Sequence, residues 1–144
     1  MLVDQILKSK GTEGVVTVKP GTRVSQAAEV LSSRRIGGVV VSPDGKEVAG
    51  ILSERDIVRE IGKRGPNCLG ETVDELMTSD IVTCGRADTA DEVLQKMTDG
   101  RFRHMPVVDG AEMVGLITIG DVVKARLSEL SMEKEALEGM IMGH

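Results

Sequence analysis

The chain has 144 residues and a net charge of −5, with 40% hydrophobic and 28% charged residues, the balance of a globular protein of one domain or two small ones. It contains one phenylalanine and neither tyrosine nor tryptophan, so it has no aromatic platform for stacking bases, and its negative charge argues against a nucleic-acid backbone as partner. No apolar run approaches the length of a membrane span, and Met1-Leu2-Val3-Asp4 lacks the basic-then-apolar pattern of a signal peptide, so a cytoplasmic location away from the membrane is expected.

In chain order, Leu2 to Leu7 reads as a lead-in helix and Val16-Thr17 as a short strand. Val24, Ala27, Ala28 and Leu31 then recur at the i, i+3, i+4, i+7 spacing of one buried helical face, with Thr22 as the expected N-cap. Gly38 to Val41 reads as a strand, Pro43-Asp44-Gly45 as a turn, and Val48 to Leu52 as the return strand of a hairpin. A further helix begins near Asp56. The breakers in Gly62-Lys63-Arg64-Gly65-Pro66-Asn67 mark a junction.

After the junction the series starts again. Thr72 to Met77 repeats the lead-in, and Val82-Thr83 repeats Val16-Thr17. Ala90, Val93, Leu94 and Met97 repeat the helical face, with Asp88 as the expected cap. His104 to Val107, the Asp109-Gly110 turn and Met113 to Ile117 repeat the hairpin, and another helix starts near Asp121. Such a repeat dictates the architecture. One unit is too small to bury both faces of its sheet, whereas two packed about an approximate two-fold can. The expected division is residues 1–65 and 66–127, each with its lead-in helix, and a helical tail over 128–144. Leu127 just before that tail, and Leu130, Leu137, Met140 and Ile141 within it, stand among charged residues, an apolar stripe expected to lie on its own domain or to pack on a second copy.

The sharpest repeated element is Gly50-Ile51-Leu52-Ser53-Glu54-Arg55-Asp56-Ile57-Val58, which returns as Gly115-Leu116-Ile117-Thr118-Ile119-Gly120-Asp121-Val122-Val123. It places a hydroxyl three residues before an aspartate at two equivalent helix starts. Each aspartate can simply cap its helix. It can also accept both hydroxyls of a ribose, while the hydroxyl and free N–H groups face a phosphate. Cys68 and Cys84 stand in no metal-like spacing and are too few for a disulfide framework. No nucleophile–base spacing or Walker loop points to catalysis.

These motifs, with the run Arg101-Phe102-Arg103-His104-Met105-Pro106-Val107 and the Thr17 and Thr83 strands, resemble a cystathionine-β-synthase (CBS) domain pair, or Bateman module. The layout is similar to stand-alone bacterial CBS-pair proteins and to the regulatory insert of inosine-monophosphate dehydrogenase. The resemblance implies an α+β fold of tandem βαββα repeats in a pseudo-two-fold pair, with a C-terminal helix added here. It implies a non-enzymatic regulatory module, sensing energy or redox state, that binds AMP first, or ADP, ATP or NAD(H), in clefts between the repeats. A homodimer and an unidentified regulated protein are the implied partners, with no catalytic cofactor and no metal. The alternative is a structural dimerisation module whose clefts are vestigial.

The expected ligand contacts are Thr17, Ser53, Arg55, Asp56, Thr83, Arg101, Arg103, His104, Pro106, Thr118 and Asp121. The resemblance pairs Thr118 and Asp121 with Thr17, and Ser53 and Asp56 with Thr83. The repeats differ at one register: Arg103-His104 stands where the first has Gly37-Gly38. Arginine's fork suits phosphate, so tighter phosphate binding is expected at the Asp121 site. The two glycines are expected to leave room for a bulkier ligand, such as the second half of a dinucleotide. Arg35 corresponds to Arg101, and Arg34 and Arg55 lie nearby; solvated charge remains open for all four.

Overall fold

The computed structural model describes residues 1–11 and 14–142. The first repeat runs α1 (Val3–Ser9), β1 (Thr17–Val18), α2 (Val24–Arg34), β2 (Gly38–Val41), β3 (Gly50–Ser53) and α3 (Glu54–Arg64). A 3₁₀ turn, Pro66–Gly70, covers the junction. The second repeat runs α4 (Val73–Leu76), α5 (Ala90–Gly100), β4 (His104–Asp109), β5 (Glu112–Thr118) and α6 (Ile119–Ile141). The fold is α+β: β1 pairs parallel to β2, which pairs antiparallel to β3, and β4 pairs antiparallel to β5.

The two cores do not follow the order of the chain. Val3 and Ile6 of α1 pack with Cys84, Val93, Met97, Met105 and Ile117 of the second repeat. Val73 and Leu76 of α4 pack with Val24, Leu31, Val39 and Leu52 of the first. The backbone repeats this exchange. Ala90 N–H donates to Met1 C=O and Val3 N–H to Asp88 C=O, both at 2.8 Å; Val24 N–H donates to Glu71 C=O and Val73 N–H to Thr22 C=O, also at 2.8 Å. Each lead-in therefore completes the opposite repeat.

Two repeated glycines make that possible. A Cβ on Gly50 would stand 2.5 Å from Met77 Sδ, and one on Gly115 would stand 2.6 Å from Leu7 Cδ2. A side chain at Gly50 would also meet the Thr78 carbonyl and push the exchanged lead-in off the sheet, whereas at Gly115 the tip of Leu7 would have to give way.

Several local expectations are corrected. The caps lie one residue later than predicted, at Arg23 and Thr89. Thr22 Oγ1 instead donates to Lys19 C=O, and Asp88 accepts from Gly85 N–H. Val82-Thr83 forms no strand; a single parallel bridge joins the next residue, Cys84, to Val107. Val48 also lies outside the return strand, which starts at Gly50, because Asp44 Oδ1 binds the Lys46 and Glu47 amides and holds the loop in a wider turn. The second hairpin turns through Gly110-Ala111, leaving Asp109 paired with Glu112. The segment expected as a tail continues α6 without a break through Ile141; its last two residues, Gly143 and His144, lie outside the described residues.

Candidate functional site

A cleft of about 1160 Å³ opens where the repeats meet, with Ser53, Arg55 and Asp56 on one side and Arg101, Arg103, His104 and Thr118 on the other. Seven of the expected contacts are thus brought into one continuous space. Thr17 pairs with Val40 in β1, and its neighbour Val16 reaches the cleft instead; Val82 does so beside Thr83. Pro106 is buried in β4, where its carbonyl accepts Cys84 N–H at 3.1 Å. Asp121 lies behind Lys10, a cleft residue.

The repeated hydroxyl and aspartate form reciprocal caps. Ser53 Oγ accepts Asp56 N–H at 3.2 Å, while Ser53 N–H donates to Asp56 Oδ2 at 2.9 Å. Thr118 Oγ1 accepts Asp121 N–H at 3.2 Å, and Thr118 N–H donates to Asp121 Oδ2 at 2.9 Å. This is the capping-box geometry, which pins each hydroxyl at the head of its helix. The free N–H groups of that first turn make the helix start a favourable place for an anion.

Beyond the cap, the two sites diverge. Ser53 Oγ also donates to Asp56 Oδ2 at 2.9 Å, and Arg59 donates to Asp56 Oδ1 at 2.8 Å. Both Asp56 oxygens are therefore engaged within their own helix turn. At the other site Lys10 Nζ donates to Asp121 Oδ2 and to Leu116 C=O, both at 2.8 Å. Among the described residues nothing donates to Asp121 Oδ1, so that oxygen remains available.

Sequence reasoning missed Lys10 and the role of Arg35. Lys10 ends α1, and aligning Leu7 with Met77 places Asp80 at its equivalent. Both line the cleft, so one half carries a cation where the other carries a carboxylate. Arg35 and Arg101 cap α2 and α5 in the left-handed conformation, with φ of 54° and 56°. Glycine is usual at such a position. The strain of an arginine there, tolerated at equivalent points of both repeats, is the kind stored at functional sites. Nothing in the sequence marks it, since no glycine signals the turn.

The family model for the CBS domain matches residues 7–63 and again residues 73–128. The chain belongs to the CBS domain family. It is 30% identical over 148 aligned positions to the mitochondrial CBS domain-containing protein CBSX3 of Arabidopsis thaliana, covering 98% of this chain and 72% of that one. In longer curated relatives the chain spans as little as 22% of the length, so a CBS pair also occurs inside larger proteins. Among solved structures, the CBS-domain protein ATU1752 of Agrobacterium tumefaciens is 41% identical, with a TM-score of 0.83 over 88% of this chain and 99% of that one. A CBS domain protein of Pyrobaculum aerophilum, PAE2072, solved in complex with AMP, is 25% identical, with a TM-score of 0.77 over 92% of this chain and 99% of that one.

Electrostatics distinguish the two CBS repeats further. Burial acts to raise the Asp121 carboxyl, but hydrogen bonds from Lys10 and the Thr118 amide outweigh it and hold the group below its usual range. His104 is pushed the other way from a surface imidazole. Burial lowers it, Lys10 and Arg103 lower it further, and the Asp56 and Glu54 carboxylates of the first repeat only partly oppose them. Its ring crosses the pseudo-two-fold to lie over Gly38, where a Cβ would stand 3.0 Å from Cε1 and Nε2. The space expected beside Gly37-Gly38 for a bulkier ligand is thus filled by the imidazole of the other CBS repeat. Among the described residues, no helix is long and apolar enough to cross a membrane.

Proposed function

We propose that this CBS pair is a regulatory, non-catalytic module that binds an adenine nucleotide in the cleft between its repeats, with AMP the first ligand to test and ADP, ATP and NAD(H) next. One observation carries this reading: the cleft gathers two capped helix starts with Arg55, Arg101, Arg103 and Lys10 around one space. A phosphate is matched by the cations and free N–H groups. A ribose is matched by Asp121 Oδ1, the carboxylate oxygen left open. AMP in the P. aerophilum relative supports the choice of ligand. The phosphate belongs at the Asp121 half, where Lys10 replaces the carboxylate of Asp80. Thr17, Thr83 and Pro106 then act as supports of the cleft wall.

Binding regulates only if the ligand prefers one packing of the two halves; a ligand wedged between the repeats meets that condition. A cytoplasmic setting, a homodimer and a separate regulated protein complete the proposal. Isothermal calorimetry of protein stripped by unfolding and refolding tests it. The expected result is heat with AMP that falls at least tenfold in affinity in Arg103→Ala. Absence of heat with AMP, ADP, ATP, NAD(H) and S-adenosylmethionine sinks it.

A second reading, a dimerisation or protein-interaction module with vestigial clefts, is favoured by Asp56, whose oxygens are both taken by Ser53 and Arg59. Under that reading no nucleotide binds, and Arg103→Ala leaves oligomeric state and partner binding unchanged.

A further inference from the structure

The last helix is unlike its equivalent. α3 stops after 11 residues, but α6 runs for 23. Its first turns belong to the body, with Val122 and Ala125 buried. The last tie is Glu129, which accepts the N-terminal ammonium of Met1 at 2.5 Å. From Leu130 onward every side chain through Met142 is exposed. A free helical stretch of about a dozen residues is marginal in water, and this one carries apolar side chains that cover nothing.

Those side chains are ordered. Val123, Leu127, Leu130, Leu137 and Ile141, with Lys134, follow one another at alternating steps of four and three. This is the a/d seam of a two-stranded coiled coil. The apolar members are exposed, from 42% at Val123 to 84% at Ile141.

We infer that this seam docks on the same seam of a second copy of the chain, as an antiparallel pair of α6 helices. The inference deepens the homodimer part of the proposed function and does not depend on the nucleotide. Charge decides the direction. A parallel pair would set Lys134 against Lys134 inside the seam and Glu133 beside Glu138 at its edge. The antiparallel pair sets Lys134 opposite Leu130, Leu127 opposite Leu137, and Val123 opposite Ile141, so no lysine meets a lysine and the other four positions meet apolar partners. Lys124 then faces Glu138 of the second copy. Lys134 can leave its loose 3.9 Å contact with Glu138 in its own helix for Glu133 of the other. The two Glu133 side chains approach each other across the axis, each with a Lys134 beside it. A polar residue at one seam position fixes register and direction at a cost in stability.

Light scattering coupled to gel filtration tests the interface, and cysteine cross-linking tests its direction. The full chain is expected at twice its monomer mass, and Leu130→Glu/Leu137→Glu at the monomer mass, with a loss of far-UV helical signal no larger than the freed end of α6 accounts for. A monomeric full chain overturns both this inference and the homodimer. A dimer that survives the double substitution leaves the homodimer standing and overturns this interface. For direction, chains carrying Leu130→Cys and Lys134→Cys are mixed under mild oxidation; Cys68 and Cys84 are buried and do not interfere. A disulfide between the two different chains is expected. Leu130→Cys linking to itself, or no link in a dimeric mixture, overturns the antiparallel seam.

Discussion

The two halves of the cleft carry the same capping box in different surroundings. In the first repeat the aspartate is neutralised within its own helix by Arg59, whose side chain is 54% exposed. In the second it is neutralised by Lys10, which arrives from the far end of the chain and also holds the Leu116 carbonyl. The repeated motif therefore dictates the cap and not the charge of the site. That charge is set by residues outside the motif, Arg59 of the same helix in one half and Lys10 of an exchanged lead-in in the other, and this is how a duplicated sequence comes to offer two unlike binding surfaces.

The comparison can be broken first at the glycines. Gly50→Ala is expected to cost about 1–3 kcal/mol of stability, because its Cβ meets the Thr78 carbonyl at 2.9 Å as well as Met77. Gly115→Ala is expected to cost less, since only the tip of Leu7 must move. Urea unfolding of both variants checks the order; equal losses would mean the lead-ins are held alike. A smaller difference is expected between the ion pairs. Lys10→Met should lose about 0.5–1 kcal/mol, whereas Arg59→Met should stay within about 0.5 kcal/mol, again by urea unfolding.

The smallest effect belongs to His104 and appears only in acid. The fold keeps the imidazole neutral, so its native pKa lies below the ordinary value near 6.5. The unfolded chain then binds the proton first. Stability contributed by His104 is complete above about pH 6.5 and is lost as pH falls from there through the lower native value. His104→Gln should flatten the stability profile below pH 6.5 and leave it nearly unchanged at pH 8. An identical slope in the variant would show that the ring is not buried as described.

Much of the fold was legible because duplication shows every element twice: the helical faces at Val24 and Ala90, the Ser53 and Thr118 boxes, the hairpins. The misplaced caps and the wider Asp44 turn were local errors, but the failures around the cleft share one physical origin, contacts distant in sequence. Val82-Thr83 has the β-branched residues of a strand, yet only Cys84 finds a bridge to Val107. Lys10 carried no local signal, since its meaning comes from Asp121, more than a hundred residues away. Gly37-Gly38 looked like open space because the sequence cannot show that His104 crosses over to fill it.

The exchange of lead-ins also sets an order of events on the ribosome. The first repeat cannot close its core until Val73 and Leu76 have been made, so its folding waits for the start of the second. Val3 and Ile6 wait longest. They precede both repeats in the chain, yet their place among Val93, Met97 and Ile117 exists only once the second hairpin has been made. α1 therefore has no apolar site to occupy until the second repeat has formed. A truncated product of synthesis would show its apolar face, and would be recognisable as unfinished by that exposed end.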